Sequence, residues 1–308
     1  MKIWFNSNDI VYNKFCSEQL IITPFLDSAY IKTNPSFDDI DNYKSKIAQD
    51  VHLAPLQNCD YIVYPNKLAP TATLMDYIKL SEQYKKPLLT FYVDDDSTPS
   101  KHIENMIVYR TSMFKSKMKD HERALPAWSK DFKTCKEVPV RPKNEIPTVG
   151  FCGYINHPET KIRRECINRI QSYKNITKNI IIRSSFWGGN IDGIEVRNEY
   201  IDNMINSDFI LCTRGSGNFS YRLYETLSAG RIPIFIDSDS CLPFDSDILY
   251  DTFFPIIKES ELDNMEQIIL DFWKNIKDYN KLQEQLYELY KTWFSPYGFI
   301  NKLSKELI

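Results

Sequence analysis

The feature of this sequence that most constrains its fold is the alternation of short apolar, β-branched runs with helical patterns of similar length. Such alternation is typical of βαβ units, in which consecutive strands lie parallel and helices cover the sheet. The predicted strands are residues 2–5, 61–64, 88–93, 106–109, 148–152, 179–183, 209–213, 232–236 and 253–257. The predicted helices are residues 71–85, 159–174, 195–206 and 220–229.

The segment between the two halves, EVPVRPKNEIPT at residues 137–148, contains three prolines and is predicted to be a linker. After about residue 259 the pattern is helical to the end. We therefore predict an α/β fold of two facing Rossmann-like domains, residues 1–140 and 148–280. Residues 281–308 are predicted to be C-terminal helices that cross back to the N-terminal domain. In open sheets of this kind, ligands bind at the carboxyl ends of the strands.

Composition excludes several classes of function. The net charge of -3 argues against nucleic acid as the main partner. The seven cysteines are scattered without a C-x-x-C pair, and no two of the four histidines have metal-ligand spacing on a helix. Neither a disulfide framework nor a zinc site is therefore expected. No apolar run has the length of a signal peptide or membrane span, which predicts a cytoplasmic protein.

The stretch DFILCTRGSGNFSYRLYETLSAGRIPIFID, residues 208–237, carries the strongest functional pattern. Arg214 follows a buried strand and begins a loop whose residues Gly215, Ser216, Gly217 and Asn218 can adopt positive φ and turn their N–H groups toward one point. Ser220 is a natural N-cap for the next helix. The loop and the helix N-terminus together predict an anion site suited to a diphosphate.

Arg222 and Glu225 lie three residues apart and so share one face of that helix. An arginine there can neutralise phosphate charge, and a glutamate one turn further can accept hydrogen bonds from the vicinal hydroxyls of a ribose. The alternative is an ordinary surface pair of charges on a helix.

The order of motifs in this region resembles the exostosin family of glycosyltransferases. That family has a strand ending in a small-residue loop, an Arg-x-x-Glu helix, a Gly-x-x-Pro turn and a Leu-Pro-Phe segment. Here the last three are RLYE at 222–225, GRIP at 230–233 and LPF at 242–244, and CDYIVYP at 59–65 resembles an upstream strand of the family. The strong match covers about a sixth of the chain.

The resemblance implies a GT-B fold, a UDP-sugar donor held by the C-terminal domain, and inverting transfer to a saccharide acceptor without an essential cofactor or metal. Arg222 would then face the diphosphate, Glu225 the uridine ribose, and Arg214, Ser216 and Gly217 would line the phosphate loop. Animal members carry an N-terminal membrane anchor that is not seen here. This implies a cytoplasmic enzyme of bacterial or viral type, acting in the synthesis of a surface polysaccharide.

An acidic run, Asp94, Asp95 and Asp96, follows the predicted strand 88–93. It can be interpreted as a D-x-D motif that holds a metal, which would make the protein a metal-dependent GT-A transferase. One of the three can instead be the base that deprotonates the acceptor. The third interpretation is a polar loop that caps a turn.

Further candidates lie at other strand ends. Gly153 follows the strand 148–152, where a glycine allows a ligand to approach the backbone, or simply forms a tight turn. Arg183 can reach the diphosphate or base, and Phe186 or Trp187 can stack on a uracil or sugar. His157 is a candidate partner for a phosphate or hydroxyl. For each of these four residues the alternative is an ordinary surface loop.

Residues 113–136 hold seven Lys/Arg against three acids, a local charge of about +4. This segment predicts either a solvated basic face or a peripheral membrane contact beside anionic lipid, where a lipid-linked acceptor would lie. A non-catalytic protein that binds sugars or nucleotides remains a further alternative to the transferase.

Overall fold

The computed structural model describes residues 1–11, 17–26, 40–128, 138–186 and 193–306. The chain divides into two compact units. Unit 1 comprises Met1–Lys130, Cys241–Pro243 and Lys291–Ile308, and unit 2 comprises Asp131–Ser240 and Phe244–Tyr290.

Unit 1 is built on a six-stranded parallel sheet with the strand order β2-β1-β3-β4-β5-β6. Its strands are β1 (Lys2–Trp4), β2 (His52–Leu53), β3 (Tyr61–Lys67), β4 (Leu88–Tyr92), β5 (Met106–Arg110) and β6 (Glu122–Ala124). Its α-helices are α1 (Ile40–Asp50), α2 (Ala72–Tyr84) and α8 (Pro296–Glu306), and Ser17–Phe25 forms a 3-10 helix.

Helix α2 shows how local sequence sets these elements. The hydroxyl of Thr71 accepts a hydrogen bond from the Leu74 N–H at 3.1 Å and so caps the helix start. The helix ends at Lys85, which adopts the left-handed conformation with φ 51°. Leu74, Tyr77 and Ile78 repeat at helical spacing, and they are buried against the residues of β3, β4 and β5.

Unit 2 is built on a five-stranded parallel sheet with the strand order β11-β10-β9-β7-β8. Its strands are β7 (Thr148–Tyr154), β8 (Thr177–Arg183), β9 (Phe209–Cys212), β10 (Ile232–Asp237) and β11 (Ile256–Lys258). Its helices are α3 (Lys161–Ser172), α4 (Ile194–Ile205), α5 (Tyr221–Ser228), α6 (Met265–Asn275) and α7 (Tyr279–Leu289). All four residues of β9 are buried, which explains its uninterrupted apolar sequence.

The course of the chain through unit 2 creates a crevice between β7 and β9. From β7 the chain runs to β8 on one side and then crosses to β9 on the other. β7 pairs with β8 along its whole length, from Thr148 to Tyr154. It pairs with β9 only at Val149 and Gly150, so the two strands separate toward their carboxyl ends. Such a topological switch point is where ligands of open α/β sheets bind.

The α/β class, with two parallel sheets and a helical C-terminal end, is confirmed. The last predicted strand, residues 253–257, was placed too early, because Tyr250–Thr252 forms a 3-10 turn and β11 begins at Ile256. The strands β2 and β6 and the helix α1 were not predicted. The two strands have only two and three residues, too few to show a period.

The proline-rich segment is fixed to unit 2 by polar contacts. The Arg141 N–H donates to Oε1 of Gln283 at 3.0 Å, and its guanidinium pairs with the buried carboxylate of Asp208 at 2.7 Å. After α7, Tyr290–Phe294 forms a π-helical turn. The helix that follows, α8, groups with unit 1.

Candidate functional site

Two arginine side chains lie at the separated ends of β7 and β9, and one of them bonds to both ends. The first is Arg163 in α3, whose guanidinium makes three hydrogen bonds. Nη1 donates to the Tyr154 carbonyl at 2.9 Å, at the end of β7. Nε donates to Oγ1 of Thr213 at 3.1 Å, and Nη2 to the Arg214 carbonyl at 2.9 Å, both just after β9. Arg163 therefore holds the two sides of the crevice together.

All three hydrogen-bond acceptors of the Arg163 guanidinium are uncharged groups. The residue is buried, with 9% of its surface exposed. Burial, together with the nearby charge of Arg222, lowers the pKa of Arg163 to about 10. The group is still protonated at neutral pH, and an anion in the crevice would be attracted to it.

The second arginine is Arg222 in α5. Its Nη2 donates to the Cys152 carbonyl of β7 at 2.8 Å, and its guanidinium carbon lies 4.3 Å from the centre of the Phe151 ring. Its Nε is shielded from solvent and has no hydrogen-bond partner. A buried donor left unpaired costs about 1–3 kcal/mol. A ligand oxygen that reached this nitrogen, after the groups that shield it had moved, would remove that cost.

Gly153 provides the room that Arg222 occupies. A Cβ atom at this position would lie 2.9 Å from Nη2 of Arg222 and 3.3 Å from the Phe151 ring. The glycine is therefore required for close packing of the arginine on β7.

Glu225 lies one turn further along α5 and is buried, with 6% of its surface exposed. Its carboxylate accepts a hydrogen bond from the Tyr200 hydroxyl and lies 3.6 Å from Nη1 of Arg197, both from α4. The Arg222 guanidinium lies 5.7 Å from the centre of the Tyr200 ring. Burial, and then the Glu225 charge, raises the pKa of Tyr200, so its hydroxyl stays protonated as a donor. Arg222 and Glu225 thus meet around Tyr200.

The loop after β9 differs in one respect from the prediction. Gly215 and Gly217 do not have positive φ, and among the glycines in the described ranges only Gly230 does, with φ 63°. The loop turns because the Gly215 N–H donates to the Phe219 carbonyl at 3.1 Å. The buried Asn218 then exchanges two hydrogen bonds with Ser238 at the end of β10. These contacts close the loop without a left-handed residue.

The predicted anion site also included two serines, Ser220 and Ser216. Ser220 occupies the N-cap position of α5, but its side chain makes no capping hydrogen bond. Ser216 is partly buried in the loop after β9.

Arg183 is the last residue of β8, the strand on the side of β7 away from β9. Its side chain contacts helix α4. Its guanidinium donates to the Val196 carbonyl at 3.2 Å and pairs with Glu199 at 2.5 Å. Phe186, just beyond it, is 45% exposed. Its ring lies 5.2 Å from that of Tyr154 and 5.4 Å from that of His157. Trp187 lies outside the described residues.

The acidic run Asp94–Asp96 in unit 1 follows β4, and its side chains accept backbone hydrogen bonds that form a turn. Asp94 pairs with Lys67 and accepts the Asp96 N–H at 2.9 Å, and Asp96 accepts the Thr98 N–H at 2.9 Å. The Asp95 carbonyl accepts a hydrogen bond from Ser112 at 3.0 Å. In the described part of the chain, no three acidic, His or Cys side chains converge as metal ligands would.

The pKa values of two of these acids are lowered. For Asp94, partial burial acts in the opposite direction, but it is outweighed by the hydrogen bond and charge of Lys67 together with the backbone N–H groups of Asp95 and Asp96. For Asp96, the cause is mainly the hydrogen bond from Thr98. A carboxylate with a lowered pKa is a weaker base, which makes these two less suited to proton abstraction at neutral pH.

Sequence patterns missed two residues of the crevice, Arg163 and Tyr200. A signal for Arg163 does exist. It precedes Cys166, Ile167 and Ile170 at helical spacing, and all four lie on the buried face of α3. An arginine at a core position of an amphipathic helix indicates a buried role for its charge.

The fold and these arginines define an α/β protein with two cationic side chains at a topological switch point. The family model described as the RXYLT1 C-terminal domain matches residues 129–297, more than half of the chain. The chain belongs to this family of exostosin-like glycosyltransferases, and the resemblance to the exostosin family is confirmed.

Among solved structures, WaaG, a glycosyltransferase involved in lipopolysaccharide biosynthesis, is similar with a TM-score of 0.43 and 9% identity. The match covers 83% of this chain and 86% of WaaG. No curated protein sequence matches the chain significantly. Across the described ranges, every helix is too short or too polar to cross a lipid bilayer.

Proposed function

We propose that this protein is an inverting glycosyltransferase of the GT-B type that binds a UDP-sugar in the crevice between β7 and β9. The observation that carries this proposal is the unpaired, shielded Nε of Arg222 at a topological switch point. A second guanidinium, Arg163, lies nearby with uncharged partners. Two cationic groups at one crevice favour a ligand with two phosphates over a neutral sugar.

The proposed role of Glu225 is to accept hydrogen bonds from the ribose hydroxyls. An ionised carboxylate has about four acceptor positions, so the Tyr200 hydroxyl does not use all of them. Tyr200 would fix the orientation of the carboxylate, and Arg197 would balance its charge. The buried state of Glu225 requires that a ribose displace part of this surrounding layer.

In the proposed reaction, an acceptor hydroxyl attacks the anomeric carbon of the donor sugar from the side opposite the diphosphate. The bond from that carbon to the phosphate oxygen breaks, and UDP leaves with the electron pair. Arg222 stabilises the charge that develops on the diphosphate. A base takes up the hydroxyl proton. The Asp94–Asp96 run remains the candidate, with Asp95 to be tested first because the pKa values of its two neighbours are lowered.

Nucleotide binding provides the direct test. Calorimetric titration with UDP, ADP, GDP and CDP should show binding with UDP favoured. The protein should then release UDP from a UDP-sugar when suitable saccharides are offered, with or without EDTA. Loss of release in EDTA would favour the metal-dependent alternative that uses Asp94–Asp96. Binding of UDP without any release would favour the non-catalytic alternative, and absence of nucleotide binding would refute the proposal.

The acceptor is proposed to be a saccharide, lipid-linked and met at the cytoplasmic face of a membrane, for synthesis of a surface polysaccharide. Lys115, Lys117 and Lys119 are exposed in the described part of the basic segment, up to residue 128. Residues 129–136 lie outside the described residues. Co-sedimentation with phosphatidylserine vesicles, compared with a variant in which these three lysines are glutamines, tests the membrane contact.

A further inference from the structure

The crevice in unit 2 begins where the backbone ladder between β7 and β9 stops. Backbone pairing ends at Gly150 with Ile210. Beyond it, the carbonyl groups of Cys152 and Tyr154 on β7 accept hydrogen bonds from arginine side chains instead. The spacing of the two strand ends is therefore set by side chains over this stretch.

Arg163 is the side chain that reaches both sides. One of its hydrogen bonds goes to the Tyr154 carbonyl, which lies beyond the point where β7 separates from β9. The other two go to Thr213 and Arg214, at the start of the loop that follows β9. The loop that would receive phosphate is thus attached to the opposite strand through one guanidinium.

We infer that Arg163 is a positioning residue that fixes the distance between the end of β7 and the loop after β9, and thereby gives the crevice its preference for a diphosphate over a single phosphate. This inference rests on the proposed function, because it concerns the same crevice. In this role Arg163 acts on the ligand indirectly, because it holds Thr213 and Arg214 in place.

Only an arginine can make this set of contacts. Its planar guanidinium presents five N–H groups in a fixed fork, and three of them are used here on acceptors that belong to different segments. A lysine at this position would keep the charge but has a single nitrogen. An amide side chain would lose both the charge and the fork.

The preference for two phosphates follows from this geometry. A diphosphate places its charges at two points, so it benefits from both sides of the crevice only when their spacing is correct. A single phosphate can bind to one side alone, with Arg222 for example. A misplacement of about 1 Å is enough to cost a large factor in a site that depends on simultaneous contacts.

The chain offers a matched control beside this residue. Arg164 lies on the same helix and is exposed, whereas Arg163 is buried. R164Q removes the same charge, close in sequence, without touching the crevice. T213V removes one acceptor of the Arg163 fork and leaves the charge in place.

The experiment is calorimetric titration of the full chain with inorganic pyrophosphate and with inorganic phosphate. In the wild type we expect pyrophosphate to bind about tenfold tighter or more. R163K and R163Q should each reduce that ratio to about threefold or less, T213V should give an intermediate ratio, and R164Q should keep the wild-type ratio. Circular dichroism verifies that each variant is folded at the temperature of titration.

The inference is overturned if R163K or T213V is folded and keeps the full pyrophosphate preference, or if R164Q lowers it as much as R163Q does. T213V keeps the test decisive even where the changes at Arg163 prevent folding. Titration with UDP separates the two proposals. A wild type that prefers pyrophosphate but binds no nucleotide would refute the proposed function alone, and UDP binding with an Arg163-independent ratio would refute this inference alone.

Discussion

Replacement of Gly153 by alanine tests whether the position of Arg222 on β7 matters. The added Cβ would lie 2.9 Å from Nη2 of Arg222, closer than such contacts normally occur. Gly153 has no positive φ, so the alanine causes no backbone strain. The arginine must therefore move, and its hydrogen bond to the Cys152 carbonyl at 2.8 Å is lost or lengthened.

The expected cost can be estimated from these contacts. Loss of a hydrogen bond that involves a charged group costs about 1.5–3 kcal/mol. A Gly→Ala change that the backbone tolerates recovers about 0.4–1 kcal/mol through the unfolded chain. The net destabilisation should thus be about 0.5–2.6 kcal/mol. If Arg222 faces a diphosphate, its displacement should also raise the Kd for UDP by about tenfold to a hundredfold.

Urea denaturation measures the first quantity and calorimetric titration with UDP the second. Gly215→Ala is the control for stability, because its Cβ would come no nearer than 3.9 Å to Nη2 of Arg163 and its φ is also not positive. That variant should be as stable as the wild type or slightly more stable. A Gly153→Ala protein with unchanged stability and unchanged UDP affinity would refute the assigned packing role of Gly153 and the phosphate role of Arg222 together.

Four further outcomes are expected. Glu225→Ala should raise the Kd for UDP about tenfold or more in calorimetry, and an unchanged Kd in the folded variant would contradict the ribose role. Gly230→Ala should cost about 2 kcal/mol or more in urea denaturation, since φ is 63° and the Cβ would lie 2.7 Å from the Gln283 carbonyl oxygen. Burial raises the pKa of the Cys212 thiol to about 12, so it should react with a thiol reagent at pH 8 only after unfolding. Burial, and then the neighbouring charge of a histidine, lowers the pKa of His121 in the folded protein. Because the unfolded chain then binds this proton more readily, the Tm should fall as the pH drops below about 6.5. The fall in Tm should be smaller in His121→Gln.

Local sequence was sufficient to predict many of the elements around the crevice. The helix predicted at 220–229 is observed as Tyr221–Ser228, and the strand predicted at 232–236 as Ile232–Asp237. Gly230 between them has the positive φ that a residue after a helix end commonly adopts. These elements follow from periodicity and turn chemistry, which act over a few residues. Cys152 and Cys212 lie within the predicted apolar strands 148–152 and 209–213, and both are buried.

Side-chain partners could not be predicted in the same way. Arg222 and Glu225 were placed on one face of their helix by spacing alone. That Arg222 bonds to the carbonyl of Cys152, and that Glu225 is covered by Tyr200, depends on how α4, α5 and β7 pack. The roles predicted for these two residues in donor binding remain predictions.

The sequence by itself determined the alternation of strands and helices, the parallel sheets and the motif order of the family, because each of these depends on patterns along the chain. Only the tertiary structure decided where β7 and β9 separate and which side chains connect them. Arg163 shows the physical reason. Its three acceptors lie 9, 50 and 51 residues away in sequence, so its role appears only when the fold brings those segments within hydrogen-bonding distance.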